Sequence, residues 1–228
     1  MRLYEDILYD ANRYGIQCIF HGCTIPRGWE RMYPNYVASE AVLASENVYF
    51  NEGAAIHEPF DLTLHPFCRN AVGTMDWGGV IMNKYLSKDN KSRHSRKTTD
   101  AFEIATAFTN QTAIQCIAIQ PNNLQELPQV ELDFLKTIPA TWDETRFIDG
   151  YPGRYVVLAR RHADKWYIVA LNAQKEPLNL SLDIKSYNLK NLLTDGTNTT
   201  DAVQLPLKAD KKGKVKLTVQ PNGGAVLF

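Results

Sequence analysis

Apolar positions Leu3, Ile7, Leu8, Ala11 and Tyr14 recur at helical spacing from the start of the chain, and Gly15 stands where a C-cap belongs. The run Ile16 to Phe20, with Cys18 inside it, reads as a short buried strand, so the pattern predicts the helix–glycine–strand join of a β/α unit. A crossover helix placed first has no earlier strand to pack on, which predicts a missing N-terminal portion. Between residues 22 and 83 the periodicity fades among Gly, Pro, Asn and aromatic residues, and Val37-Ala38-Ser39 and Leu62-Thr63-Leu64 are read as short strands. Irregular stretches of this length between β/α elements carry function, as active-site loops do in barrels. Asp100 then opens a helix, with Glu103 completing a capping box and Ala101, Phe102, Ile104, Ala105 and Phe108 supplying its apolar face. An apolar segment, Ala113 to Ile119, follows, and a short helix is expected around Val130 to Lys136.

The texture changes near Pro139. From there the chain alternates apolar and polar residues over Arg154 to Ala159, Trp166 to Leu171, Leu178 to Leu182, Lys214 to Val219 and Gly224 to Phe228. Turn signals at Asp195-Gly196, Lys212-Gly213 and Pro221-Asn222-Gly223 punctuate these runs, which predicts an antiparallel β-sandwich. The expected organisation is an α/β domain over residues 1–140 and an all-β domain over residues 141–228.

Composition narrows the function classes. Among 228 residues, 25 Lys and Arg balance 25 Asp and Glu, which argues against a dedicated nucleic-acid binder. No apolar stretch approaches the roughly 18 residues that span a bilayer, and Glu5, Asp6 and Asp10 interrupt any signal-peptide core. Lys88, Lys91, Arg93, His94, Arg96 and Lys97 cluster in the polar segment 84–98; without interleaved aromatic residues they read as a solvated loop rather than a phosphate patch. Cys18, Cys23, Cys68 and Cys116 form no CxxC pair, so a four-ligand zinc site is not expected, and most should be buried free thiols with room for one disulfide.

Candidate chemistry concentrates early. His21 ends a strand, where a β/α barrel places active-site residues. Glu40 follows a short apolar run and Glu46 lies six positions on. Two carboxylates brought to one cavity can share a metal or perform acid–base work, although spacing alone favours two solvated glutamates. Asp76 reads either as a pocket residue with Trp77 as a sugar platform or as a turn aspartate beside a core Trp. His57-Glu58 with His65 fails the HExxH pattern because residue 61 is Asp. Trp142, Trp166 and Tyr167 could bind sugar from the sandwich, but such aromatics usually fill cores.

The run Arg31-x-Tyr33-Pro34-Asn35-x-x-Ala38-Ser39-Glu40-Ala41 followed by Glu46 resembles the active-site signature of glycoside hydrolase family 97. Pro66-Phe67-x-Arg69, Thr74-Met75-Asp76-Trp77 and Pro139-Ala140-Thr141-Trp142-Asp143-Glu144-Thr145 continue the resemblance in order along the chain. The family's members are much longer, with an N-terminal β-sandwich, a (β/α)8 barrel and a C-terminal β domain. The resemblance therefore implies a partial (β/α)8 (TIM-type) barrel followed by an antiparallel β-sandwich. It implies that Glu46 is the general acid, that Glu40 ligates a calcium ion (Ca2+) which Glu46 also approaches, and that His21 contacts the sugar; on its pocket reading Asp76 is a second candidate for substrate binding. Gly22 stands where the inverting branch of the family carries a glutamate base, so the resemblance is to the retaining branch, whose aspartate nucleophile would lie upstream of Met1. The implied protein is part of a calcium-dependent retaining exo-glycosidase acting on terminal α-galactosides or related α-glycosides. It would be periplasmic or secreted, partnered by its missing N-terminal half and an oligosaccharide substrate, with no nucleic acid and no membrane span. The competing reading is a non-catalytic remnant serving as a structural or carbohydrate-binding module.

Overall fold

A computed structural model describes residues 2–86 and 94–228. Helix α1 (Arg2–Arg13) forms as its spacing predicts, but of its apolar residues Leu8 alone is fully buried, while Leu3, Ile7 and Tyr14 face outward. The chain turns at Gly15 into strand β1 (Cys18–Phe20), passes through the short helix α2 (Trp29–Met32), and returns as β2 (Tyr36–Ser39), which pairs with β1 in parallel. Leu8, Trp29 and Tyr36 pack together beneath this pair. Asn35 ties the same elements through its side-chain amide, which donates to Leu8 O at 2.9 Å and Ile16 O at 3.2 Å.

A 3-10 turn (Ser45–Tyr49) leads to helix α3 (Glu52–Leu64). The expected strand at Leu62-Thr63-Leu64 is instead the last turn of α3. The Asn51 side chain accepts from Ala54 N at 2.8 Å and fixes the helix start, and Ala55, Glu58, Leu62 recur on its buried side at helical spacing. Strand β3 (Val80–Ile81) pairs in parallel with β4 (Ile117–Ala118), and a parallel bridge joins Ser39 to Met75.

Helix α4 (Asp100–Thr109) is buried along its whole length. Its cap differs from the expected capping box: Thr99 is the N-cap, accepting from Phe102 N at 3.1 Å. Glu103 turns inward, accepting from the Thr98 hydroxyl and from Ile81 N at 3.2 Å. Asp100 pairs with Arg96 in an ion pair that is almost wholly buried. Arg96 therefore departs from the solvated-loop reading because a buried carboxylate draws it in; Lys97 binds Glu52 and His94 meets Val48 O, while Lys88, Lys91 and Arg93 lie outside the described residues. Short helices α5 (Asn123–Glu126) and α6 (Gln129–Leu135) follow.

The remainder is antiparallel β structure. Strands β5 (Glu144–Tyr151), β6 (Tyr155–His162), β7 (Lys165–Asn172), β9 (Asn191–Asp195), β10 (Ala202–Pro206) and β12 (Gly223–Leu227) form one six-stranded sheet in the order β10-β9-β12-β7-β6-β5. Strands β8 (Leu178–Asp183) and β11 (Lys214–Val219) pair as a separate ribbon. The two-residue period of β6 sorts its side chains: Val156 and Leu158 join α4 in one core, and Val157 and Ala159 join Leu182, Val215 and Leu217 of the ribbon in another. α4 lies so close to β12 that a Cβ on Gly224 would stand 2.5 Å from Ala101 O. All four cysteines are free, and Cys68 and Cys116 are exposed rather than buried.

Candidate active site

Backbone pairing extends past the strand ends and sets where the site residues emerge. Glu40 N donates to Phe20 O at 2.8 Å, and Asp76 N donates to Ser39 O at 3.0 Å. His21, Glu40 and Asp76 thus leave neighbouring parallel segments at their carboxyl ends, the position at which parallel sheets present functional side chains. Glu46 arrives from the first turn of the 3-10 segment. That turn is anchored by Ser45, whose backbone N donates to Trp77 O at 2.8 Å and whose hydroxyl donates to Gly79 O at 2.7 Å.

The four side chains meet. His21 Nδ1 lies 2.9 Å from Asp76 Oδ2, and its Nε2 lies 3.1 Å from Glu46 Oε1 and 3.6 Å from Glu40 Oε1. The hydrogen bond to Asp76, aided by the Glu40 and Glu46 charges and opposed by partial burial, raises the His21 pKa above its ordinary value. Burial raises the Glu46 pKa, with its own backbone N–H and His21 pulling the other way. Glu46 Oε2 is buried without a hydrogen-bond partner among the described residues. A glutamate held partly desolvated keeps its proton to higher pH, which suits an acid that must donate one.

His21, Glu40 and Glu46 also form a trio whose ligand atoms lie within 4.8 Å of one another. The two glutamates fit a hard cation such as calcium, which takes carboxylate oxygens, and the unpartnered Glu46 Oε2 is an oxygen available to it. The His21 imidazole is a softer donor, better matched to other metals or to a sugar hydroxyl. Calcium's roughly six to eight oxygens exceed what Glu40 and Glu46 supply, so water, substrate or other protein groups would complete its shell.

Two residues that the sequence did not single out for these tasks, Gly78 and Arg69, build this arrangement, and a third, Cys116, feels its charge. Gly78 has φ +88°, and a Cβ there would stand 2.0 Å from Glu46 Oε2, so a side chain at 78 would occupy the seat of the Glu46 carboxylate. Arg69, buried, donates from Nη2 to Ser39 O at 2.6 Å and Thr74 O at 3.1 Å, and from Nε to Glu40 O at 3.1 Å, clamping the backbone on which Glu40 and Asp76 stand. The thiol pKa of Cys116, an exposed residue, is raised by partial desolvation and by the Asp76 and Glu46 charges. The adjacent Gly78-Gly79 pair and the arginine inside Pro66-Phe67-x-Arg69 were the available signals; Cys116 had none.

Other candidates go elsewhere. Trp77 is 2% exposed and belongs to the core, so it offers no platform beside Asp76. His57 pairs with Asp61 at 2.8 Å, Glu58 is buried, and burial with the nearby Arg69 charge lowers the His65 pKa to about 4. Trp142 and Tyr167 pack against Phe108, and the Arg146 guanidinium stacks 4.5 Å from the Trp166 ring centre.

Residues 141–228 match the family described as glycosyl-hydrolase 97 C-terminal, oligomerisation. A retaining alpha-galactosidase of Bacteroides thetaiotaomicron is 30% identical over 94% of this chain and 34% of its own length. This chain belongs to glycoside hydrolase family 97. A crystal structure of a beta-arabinopyranosidase is 52% identical, superposes with a TM-score of 0.94, and is matched over 99% of this chain and 36% of its own. A family 97 enzyme from Pseudoalteromonas sp. strain K8, solved in complex with acarbose, shares the fold at 20% identity and a TM-score of 0.82, over 98% of this chain and 36% of its own. The chain thus spans about a third of the length of these relatives.

Proposed function

We propose that these residues are the C-terminal part of a calcium-dependent retaining exo-glycosidase that removes terminal α-galactosyl or β-arabinopyranosyl groups. In the L series, β-arabinopyranose has the ring configuration of α-galactopyranose without its C6 group, so one pocket suits both. The observation that carries the reading is the convergence of Glu40, Glu46 and Asp76 on His21 at 2.9 to 3.6 Å. Residues 1–140 are read as the last part of a (β/α)8 barrel and residues 141–228 as its C-terminal β domain. Exposed Ile16 and Ile19, before and within β1, and Ile114 and Ile119, on either side of β4, leave both flanks of the parallel segments apolar, as an incomplete barrel would.

Glu46 donates its proton to the glycosidic oxygen while an aspartate from the preceding barrel segment attacks the anomeric carbon and the C–O bond to the leaving group breaks. Ionised Glu46 then takes a proton from water, whose oxygen displaces the aspartate and restores the anomeric configuration. His21 and Asp76 meet sugar hydroxyls, with Asp76 fixing the imidazole. Glu40 and Glu46 would hold calcium, which supplies fixed positive charge beside the substrate when bound. Export to the periplasm or beyond, where oligosaccharides are met, belongs to the same reading.

Hydrolysis of nitrophenyl β-L-arabinopyranoside and α-galactoside tests it. The 228 residues alone are expected to be inactive with calcium present, and to turn over when the upstream half of the enzyme is joined or supplied in trans. Robust turnover by the 228 residues alone would place the nucleophile within them and overturn the reading.

A further inference from the structure

Strand β6 sends Val156, Leu158 and Arg160 to the same face of the six-stranded sheet, the face that packs on α4. Alternation asks for a third apolar residue there, yet the chain places an arginine that is only 3% exposed. Among the described residues its guanidinium makes no hydrogen bond and no ion pair; Nε and Nη1 are buried without an acceptor. The neighbouring Trp142, whose ring centre lies 5.4 Å from Arg160 Cζ, likewise buries its indole N–H without an acceptor. Donors outnumber acceptors here. Stacking on Trp142 returns about 1–2 kcal/mol, less than the several kcal/mol that burying an unpaired ion costs. Burial lowers the Arg160 pKa to about 10, so the group still carries its charge at neutral pH.

Arg160 lines a cavity of about 300 Å³ between the sheet and the segments around Phe67 and Gln111. Thr145 stands directly across from Arg160 in the β5–β6 register, and Phe147 stands across from Leu158. Neither the Thr145 hydroxyl nor the Gln111 side-chain amide has a hydrogen-bond partner among the described residues. None of the lining residues belongs to the His21 cluster.

We propose that this cavity binds a small organic monocarboxylate, with Arg160 as the partner of its charge. One guanidinium neutralises one negative charge, and its planar fork matches a planar carboxylate. Phe67, Phe147, Val156 and Leu158 provide apolar walls for a short carbon skeleton, whereas a phosphate dianion would leave one charge unpaired against them. The site is independent of the glycosidase reading, because it uses neither the carboxylate cluster nor the upstream segment.

Thermal unfolding of the 228-residue chain with butyrate or glucuronate, against chloride and phosphate at equal ionic strength, tests the proposal. A saturable rise in Tm is expected with at least one carboxylate and not with chloride or phosphate. Arg160→Met should fold and lose the rise, and Arg160→Lys should weaken binding at least about tenfold, because an ammonium lacks the fork. Thr145→Trp, made at an exposed position, should fill the cavity and abolish the rise even if Arg160→Met does not fold. No rise with either carboxylate, a rise that persists in Thr145→Trp or Arg160→Met, or an equal rise with phosphate would overturn it.

Discussion

A methyl group on residue 78 would fall 2.0 Å from Glu46 Oε2 and 2.7 Å from Ser45 Oγ, on a backbone that already has φ +88°. Gly78→Ala should therefore displace the Glu46 carboxylate. A misplacement of about 1 Å at a reacting group can cost about a hundredfold in rate, so kcat should fall by about that factor in the assembled enzyme while substrate binding changes little. Glu40→Gln removes one anionic oxygen donor but keeps the shape. Calorimetric titration should show calcium affinity lowered by roughly tenfold or more, together with activity; unchanged affinity would remove Glu40 from the ion's shell. The strand-end positions of His21 and Glu40 were legible in the sequence, because each directly follows an apolar run. As site residues Glu40 and Glu46 stood out by family resemblance alone, since spacing favoured two solvated glutamates. Gly78 was not legible for its role, because its contact with Glu46 spans 32 positions (78 − 46) and depends on two turns closing together.

At the scale of elements, Glu131 joins α6 to β10 by accepting from Ala202 N at 2.6 Å, and its other oxygen is buried without a partner among the described residues. Burial, with the nearby Asp100 and Asp201 charges outweighing the Ala202 hydrogen bond and Arg96, pushes its pKa to about 8 from an ordinary 4.5. The fold holds this proton more tightly than the unfolded chain does. The stability tied to it is complete below about pH 4.5, falls as pH rises toward about 8, and changes no further above that. Glu131→Gln cannot titrate, so its stability relative to the parent should grow across that window, by on the order of 1–3 kcal/mol at its upper end. Urea unfolding at pH 5 and pH 8 measures the difference, and a constant offset would contradict it. The elements that periodicity predicted correctly are those with one clean environment per face, such as β6, β7 and β11. β5 was not singled out because, as an edge strand, most of its residues are exposed and carry no alternating pattern. Leu62-Thr63-Leu64 looked extended when read as three residues; the Asn51 cap that makes it helical lies eleven positions earlier (62 − 51).

For the whole molecule, the chain divides its work between parallel segments that gather charged side chains at their carboxyl ends and an antiparallel sheet that seats α4. The change of texture near Pro139 was readable because the two parts use different hydrophobic periods. Their shared core was not, since the approach of Gly224 to Ala101 links positions 123 apart (224 − 101) that carry no local signal. In the proposed retaining reaction, Glu46 protonates the departing oxygen. In the enzyme assembled with its upstream half, Glu46→Ala should be compared with the parent on a dinitrophenyl glycoside, whose leaving group needs no proton, and on a methyl glycoside, whose leaving group does. A loss in kcat/KM of about a hundredfold to ten-thousandfold is expected on the methyl glycoside, with little loss on the dinitrophenyl glycoside; equal losses on both would contradict a proton-donating Glu46.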